Sequence, residues 1–345
     1  MQSVVRWLSA AVTVAVAMAV VVLGAPARAC GCGAYIPDRP GASIATERAL
    51  IAFDGVSQDV VMSFNVSGES DTAAWIMPVP SSAQVSLGEP ALFEELGRVT
   101  APRVEYHDNW WPTFDWLAPS RGDADTAGAR PGSGVNVLGR QRIGPFDVTR
   151  LAADDAAGLA NWLAQNGFPT SDGLGDNLAD YVEDRWEVVA IKLVPGDTAR
   201  TLTGDLQPLR LSFASDTAVY PMRLSRSART PQTVDLYVLA DHRMDSTAVP
   251  VAGHAPTLEF AGPVDSPALQ PYLSKGGYLT RWSDFIGTPQ SIGGDYEFGR
   301  SPEDTAYQRV IDVTRNRGDM TGAILLVLVG LGLVSLTIVA VRRTP

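Results

Sequence analysis

The stretch Val60-Val61-Met62-Ser63-Phe64-Asn65-Val66 decides the fold class. Val60, Met62, Phe64 and Val66 fall on one side of an extended chain, with Ser63 and Asn65 on the other. A period of two means a strand with one buried face. On its N-terminal side, Ala49-Leu50-Ile51-Ala52-Phe53 is a short apolar run closed by the turn pair Asp54-Gly55. On its C-terminal side, Trp75-Ile76-Met77 is a further strand that Pro78-Val79-Pro80 is expected to stop, because proline donates nothing to a ladder.

Farther out the period changes. Pro90 opens a helix whose apolar stripe is Leu92, Phe93, Leu96 and Val99, with Gly97 and Pro102 marking its end. Asp154 caps a second, carrying Ala156, Leu159, Trp162 and Leu163 on one face and closed by Asn166-Gly167. A third short helix is expected over 178–185. Strand signals recur at 146–151, 186–193, 209–213, 219–224 and 234–239. Runs of strands broken by two or three short helices predict a strand-rich α+β fold, not an alternating parallel sheet. No repeat of fixed period is present.

Residues 106–140 read as an exposed insertion, with aromatics first and then Arg121-Gly122-Asp123 and Pro131-Gly132-Ser133-Gly134. The ectodomain 30–298 is then either one domain or two sub-domains, 30–105 and 141–298, around that insertion. Residues 299–319 are polar and are expected to form a stalk.

The two ends carry the address. Arg6 precedes an uncharged apolar run over 8–23, and Ala27-Arg28-Ala29 is a small-x-small cleavage site, so 1–29 reads as a secretory signal. A lipid on Cys30 is the rival reading, which Arg28 fits badly. Residues 321–341 are free of charge and span about 31 Å as a helix, matching a bilayer core of about 30 Å. We expect a transmembrane helix over 320–341 in the lipid bilayer. Arginines flank both of its ends, so the signal sets the orientation: a single-pass protein of the cell membrane, ectodomain outside, with 342–345 as a cytoplasmic tail. With both ends set aside, the middle 290 residues carry 23 basic and 38 acidic side chains. Such an acidic surface excludes nucleic acid, whose binding needs a basic face.

Several stretches resemble one family. They include Ala49-Leu50-Ile51-Ala52-Phe53-Asp54, Ala74-Trp75-Ile76-Met77-Pro78-Val79-Pro80 and Pro90-Ala91-Leu92-Phe93-Glu94-Glu95-Leu96. The later Trp162-Leu163-Ala164-Gln165-Asn166-Gly167, Asp180-Tyr181-Val182-Glu183, Pro208-Leu209-Arg210-Leu211 and Val219-Tyr220-Pro221-Met222-Arg223-Leu224 agree. Over roughly 30–300 the chain resembles the domain of unknown function 2330 family. The resemblance implies an exported and often membrane-tethered bacterial protein. It brings no assigned activity, cofactor or catalytic residue, and the aromatic stretch 106–117 is not part of its pattern.

Candidate chemistry is sparse. Cys30-Gly31-Cys32 places two thiols at the mature N-terminus. A disulfide across one residue is strained and reducible, which is the case for redox chemistry, and the two thiolates with the new amino terminus are the case for metal handling; a local structural staple is the plainer reading. The three histidines, His107, His242 and His254, show no i,i+4 pair and no H-E-x-x-H. Asp241-His242 is a candidate acid–base pair, although a surface histidine after a strand is commoner. No G-x-S-x-G occurs, and neither Lys192 nor Lys275 follows a serine by three residues or a glycine-rich loop. No catalytic residue is assigned, and a hydrolase would need an unrecognised site. Asp123 begins a calcium-like loop, but Gly134 stands where its twelfth-position carboxylate is required, so no metal site is assigned either.

The aromatic knot offers Trp110, Trp111 and Trp116, beside Tyr106, His107 and Phe114. Flat rings next to Asp108, Asn109 and Asp115 suit stacking on cell-wall glycan or a place at a membrane interface. The plainer alternative is a lid folded over the sheet. The sequence thus predicts a tethered envelope protein with a binding or structural role, its partners a wall glycan or another envelope protein. Thiol–disulfide chemistry and hydrolysis are the alternatives.

Overall fold

The computed structural model describes residues 33–38, 42–112, 140–143, 146–151, 168, 173–195, 201–228 and 230–343. The chain divides into two compact units: Met1–Val99 with Ala129–Tyr307, and Thr100–Gly128 with Gln308–Pro345.

In the first unit the deciding stretch lies inside β3 (Ser57–Ser70), which pairs antiparallel with β2 (Ser43–Phe53), Val60 opposite Ile51 and Met62 opposite Ala49. The Asp54-Gly55 turn joins them. Asp54 Oδ1 accepts the N–H groups of Val56 and Ser57 at 3.0 and 2.8 Å, and Gly55 has φ +90°. That conformation costs glycine little and other residues more.

The larger sheet runs β15 (Thr257–Pro263), β16 (Tyr278–Ile286), β13 (Gln232–Ala240), β2, β3, β11 (Leu209–Ala214), β5 (Gln84–Leu87), and β10 (Leu202–Asp205) also pairs with β3. Within that run only β13 and β2 are parallel, Leu239 opposite Ala52. A second, antiparallel sheet runs β1 (Ala34–Pro37), β4 (Ala73–Val79), β9 (Glu187–Leu193), β8 (Phe146–Leu151), β7 (Arg140–Ile143). A small third sheet is β12 (Ala218–Tyr220), β17 (Tyr296–Arg300), β14 (Met244–Ala248).

The two large sheets face each other. Ile51, Met62, Phe64, Leu211 and Leu236 of one share a core with Trp75, Met77, Val189 and Ile191 of the other. Each outer face is closed by a helix. Helix α1 (Leu92–Val99) lays Leu92, Phe93 and Leu96 on Leu50, Val61, Tyr237 and Leu279. Helix α2 (Leu174–Glu183) lays Leu174, Leu178 and Tyr181 on Ile36, Ala74, Ile76 and Val188. The unit is therefore layered helix, sheet, sheet, helix, consistent with the α+β expectation. It also explains why β4 is apolar at every position: Trp75 and Met77 face one core, Ala74 and Ile76 the other.

Two local expectations are corrected. Strand β4 continues through Pro78, opposite Val188 on β9, because the ladder with β1 ends at Ile76 and no described strand pairs with Pro78 on that side. Helix α1 ends at Val99, before Pro102, as its stripe implies; it runs through Gly97, where a Cβ would meet nothing. The strand expected over 219–224 stops at Tyr220 and a 3₁₀ turn, Arg223–Ser227, follows. There the Asp295 carboxylate accepts the N–H groups of Met222 and Arg223, drawing them out of a ladder. The helix expected after Asp154 lies outside the described residues.

The boundary with the second unit falls inside the two-residue strand β18 (Tyr307–Gln308). In that unit β6 (Arg103–Asn109) and β19 (Val310–Asn316) form a parallel ribbon, Arg103 opposite Val310 through Asn109 opposite Asn316. Part of the expected stalk is thus a strand. Helix α3 (Gly318–Arg343) continues from it. Its segment Gly318–Val339, 22 residues or about 33 Å, is the one helix among the described residues long and apolar enough to cross a bilayer.

Candidate functional site

A cleft of about 410 Å³ opens in the first unit, where four chain segments end together. Parallel pairing of β2 and β13 brings their C-terminal ends to one edge, so Phe53-Asp54-Gly55 and Ala240-Asp241-His242 line it side by side. The turn at Asp216-Thr217 and the end of β17, Phe298-Gly299-Arg300, complete the wall. Ala240, Met244 and Phe298 are buried and give the cleft apolar ground; Asp54, Asp216, Asp241 and Arg300 give it charge, and His242 gives it an imidazole.

These polar groups differ in how far the protein already engages them. Asp54 is taken: Lys275 Nζ lies 2.7 Å from Oδ2. Burial works against its charge, but Lys275 and the two turn N–H groups outweigh that and hold the carboxyl well below the usual carboxylate range. His242 is oriented. Its Nδ1 lies 3.0 Å from Asp304 Oδ2, and Asp304 is itself fixed by the Arg243 N–H at 2.9 Å. The hydrogen bond to His242, then that N–H, lower the Asp304 pKa. The imidazole Nε2 has no partner among the described residues.

The side chains of Asp241 and Arg300 are both exposed. Neither makes a hydrogen bond or ion pair with another described residue, while Asp216 accepts only the Thr217 hydroxyl, at 3.3 Å. The carboxylate paired with His242 is therefore not its neighbour Asp241 but Asp304, 62 residues on. Thr217 and Thr247 line the cleft, yet no hydroxyl hydrogen-bonds to His242 among the described residues.

Of the residues singled out from sequence, Cys30, Cys32 and Trp116 lie outside the described residues. Trp110 and Trp111 follow β6 directly and are 50% and 78% exposed, so these rings form no buried lid. The Trp110 carbonyl accepts the Thr321 hydroxyl of α3 at 2.8 Å, and Arg317 lies 5.9 Å from the Trp110 ring centre. His107 pairs with Asp312 at 2.8 Å.

Glu105, His107 and Asp312 bring three ligand atoms within 4.8 Å of one another, a set whose donor types suit a divalent metal. Glu105 is also held by Arg103 at 2.8 Å and the set is largely exposed, so no metal is assigned to it. Sequence reading missed this set because β6 and β19 lie some two hundred residues apart. The cleft was missed for the same reason, apart from Asp241-His242.

A crystal structure of baculovirus P35 aligns over 78% of this chain and 97% of that one, at 9% identity and a TM-score of 0.32, a likeness too slight to carry an argument. No curated protein matches the sequence. The family described as an uncharacterized protein conserved in bacteria, DUF2330, matches residues 26–299, and to that family this chain belongs.

Proposed function

We propose that this protein is an exported bacterial envelope protein, held in the cell membrane by α3, that binds a small zwitterionic ligand in the cleft of its first unit. The ligand class is an amino acid or a short unblocked peptide with an apolar side chain. The signal-like residues 1–29 and the charge-free run 320–341 within α3 support export and tethering, with the ectodomain outside and the C-terminus in the cytoplasm.

One observation carries the ligand class. Arg300 and Asp241 place opposite charges, neither hydrogen-bonded or ion-paired to another described residue although Arg300 also feels the Asp304 carboxylate, on a wall whose ground is Ala240, Met244 and Phe298. A ligand with both a carboxylate and an ammonium group answers both charges, and its apolar portion covers the ground between. A volume of about 410 Å³ is in the range of small-molecule sites, about 300–1,000 Å³. Binding is favoured over hydrolysis because His242 is oriented by Asp304 but meets no hydroxyl nucleophile among the described residues.

The test is a thermal-unfolding screen of the detergent-solubilised chain with unblocked dipeptides and their N-acetyl, C-amide forms. Unblocked peptides should raise Tm with concentration and blocked ones should not. Equal shifts from both sets, or none from either, would remove the reading.

A further inference from the structure

We propose that Trp110 and Trp111, with Arg315 and Arg317, form a contact with the headgroup region of the same bilayer that α3 enters, fixing the depth of the helix. This rests on α3 spanning a membrane, and not on the cleft.

The argument starts from the ladder. Strands β6 and β19 stay in register to Asn109 opposite Asn316, and the Arg317 N–H then donates to the Asn109 carbonyl at 2.8 Å. Helix α3 begins at the next residue, Gly318, and within its first turn the Thr321 hydroxyl donates to the Trp110 carbonyl at 2.8 Å. The Trp110 peptide is therefore level with the first turn of the membrane helix. Gly318–Val339 is about 33 Å long against a hydrocarbon core of about 30 Å, which leaves that first turn at the boundary between acyl chains and headgroups.

The side chains at this level match that boundary. Large aromatics are highly buried on average in water-soluble surroundings, yet Trp110 and Trp111 are half or more exposed. Amphipathic rings are enriched where one side is apolar and the other wet. The cations stand beside them: Arg317 lies 5.9 Å from the Trp110 ring, and Arg315 lies 3.6 Å from the ring of Tyr106, itself exposed. Guanidinium groups at this height meet lipid phosphates. Continuity with the helix is what favours lipid over wall glycan for these rings.

The experiment uses the full chain in vesicles of phosphatidylcholine and phosphatidylglycerol, with bromine atoms at shallow or deep acyl positions to quench tryptophan fluorescence. Alkaline carbonate extraction is run alongside. The expected result is quenching by shallow bromines that is lost in Trp110→Phe/Trp111→Phe, which keeps the rings and removes the emitters, while the protein stays in the pellet. Equal quenching of both chains in the pellet would overturn the contact and leave the tether standing. Release of the natural chain by carbonate would overturn both. Retention on wall glycan that Trp110→Ala/Trp111→Ala abolishes, with no lipid quenching, would reassign the rings to glycan.

Discussion

The Tyr181 hydroxyl of α2 donates to the Asp295 carboxylate at 2.5 Å, closing a buried contact between residues 114 apart. Asp295 also accepts the N–H groups of Met222 and Arg223 at 2.6 and 3.2 Å, and Arg223 Nε stands 3.0 Å from its other oxygen. That last contact is an ion pair without good hydrogen-bond geometry, since the Nε proton finds no aligned acceptor. Burial, then the Asp295 charge, push the Tyr181 hydroxyl far above its ordinary value, so it remains a donor at any working pH.

Removing the two partners should therefore cost different amounts. Tyr181→Phe leaves Asp295 with two N–H donors and the Arg223 ion pair and should destabilise by about 1–2 kcal/mol. Asp295→Ala leaves the Met222 N–H and the Tyr181 hydroxyl without their acceptor and Arg223 with Asp184 as its remaining carboxylate, and should cost about 3–5 kcal/mol. Chemical denaturation of both variants checks the ratio; equal losses would mean the carboxylate is not the hub.

Acid should act through Asp54. Its folded pKa lies below the unfolded value of about 4, so its contribution is complete above that value and is lost as pH falls toward the folded one. Asp295 works in the opposite sense, because burial raises its pKa and protonation then favours the folded state. Asp54→Asn should lower stability at neutral pH and flatten the fall of Tm with acid. An unchanged acid slope would show that the Lys275 pair carries none of it.

Backbone approach sets a third expectation. Gly276 has φ +136°, and a Cβ there would lie 2.0 Å from the Ala240 carbonyl carbon. Gly276→Ala must displace the end of β13 that places Asp241 and His242, and should cost about 3 kcal/mol or more. Gly55→Ala, also at positive φ but in open space, should cost about 1 kcal/mol. Comparable losses at the two sites would show that the 240–241 backbone yields.

Truncating the helix that covers the large sheet gives a core test. Leu96 is fully buried beside Phe93 and Tyr237, and Leu96→Ala should cost about 2–5 kcal/mol by unfolding in denaturant. A loss below about 1 kcal/mol would mean α1 is loosely seated.

The strands and helices that sequence revealed are those with one simple face. Alternation over 209–213 and the stripe of Leu92, Phe93 and Leu96 follow directly from one-sided burial, whereas 60–66 is buried on both faces, with Val61 under α1 and Val60, Met62 and Phe64 between the sheets. Strand β4 was visible as an apolar run, but its length was not, since Pro78 is harmless only beyond the end of β1. The parallel pairing of β2 with β13 and of β6 with β19 had no local signal, because register between distant strands is set by packing and not by neighbours in sequence. The candidate site suffers most from this. Asp241-His242 could be seen, but its opposite charge Arg300 and its partner Asp304 arrive from the end of β17 and the loop just after it, and nothing in their own surroundings marks them.

The most direct test of the cleft is calorimetric titration of the detergent-solubilised chain with the dipeptide Ala-Phe, in its natural form and as Arg300→Ala. The account predicts saturable binding to the natural chain, a loss of at least about tenfold in affinity for the variant, or about 1.4 kcal/mol, and none for blocked Ala-Phe. Equal affinity of the two chains, or no binding of the unblocked peptide, would contradict it.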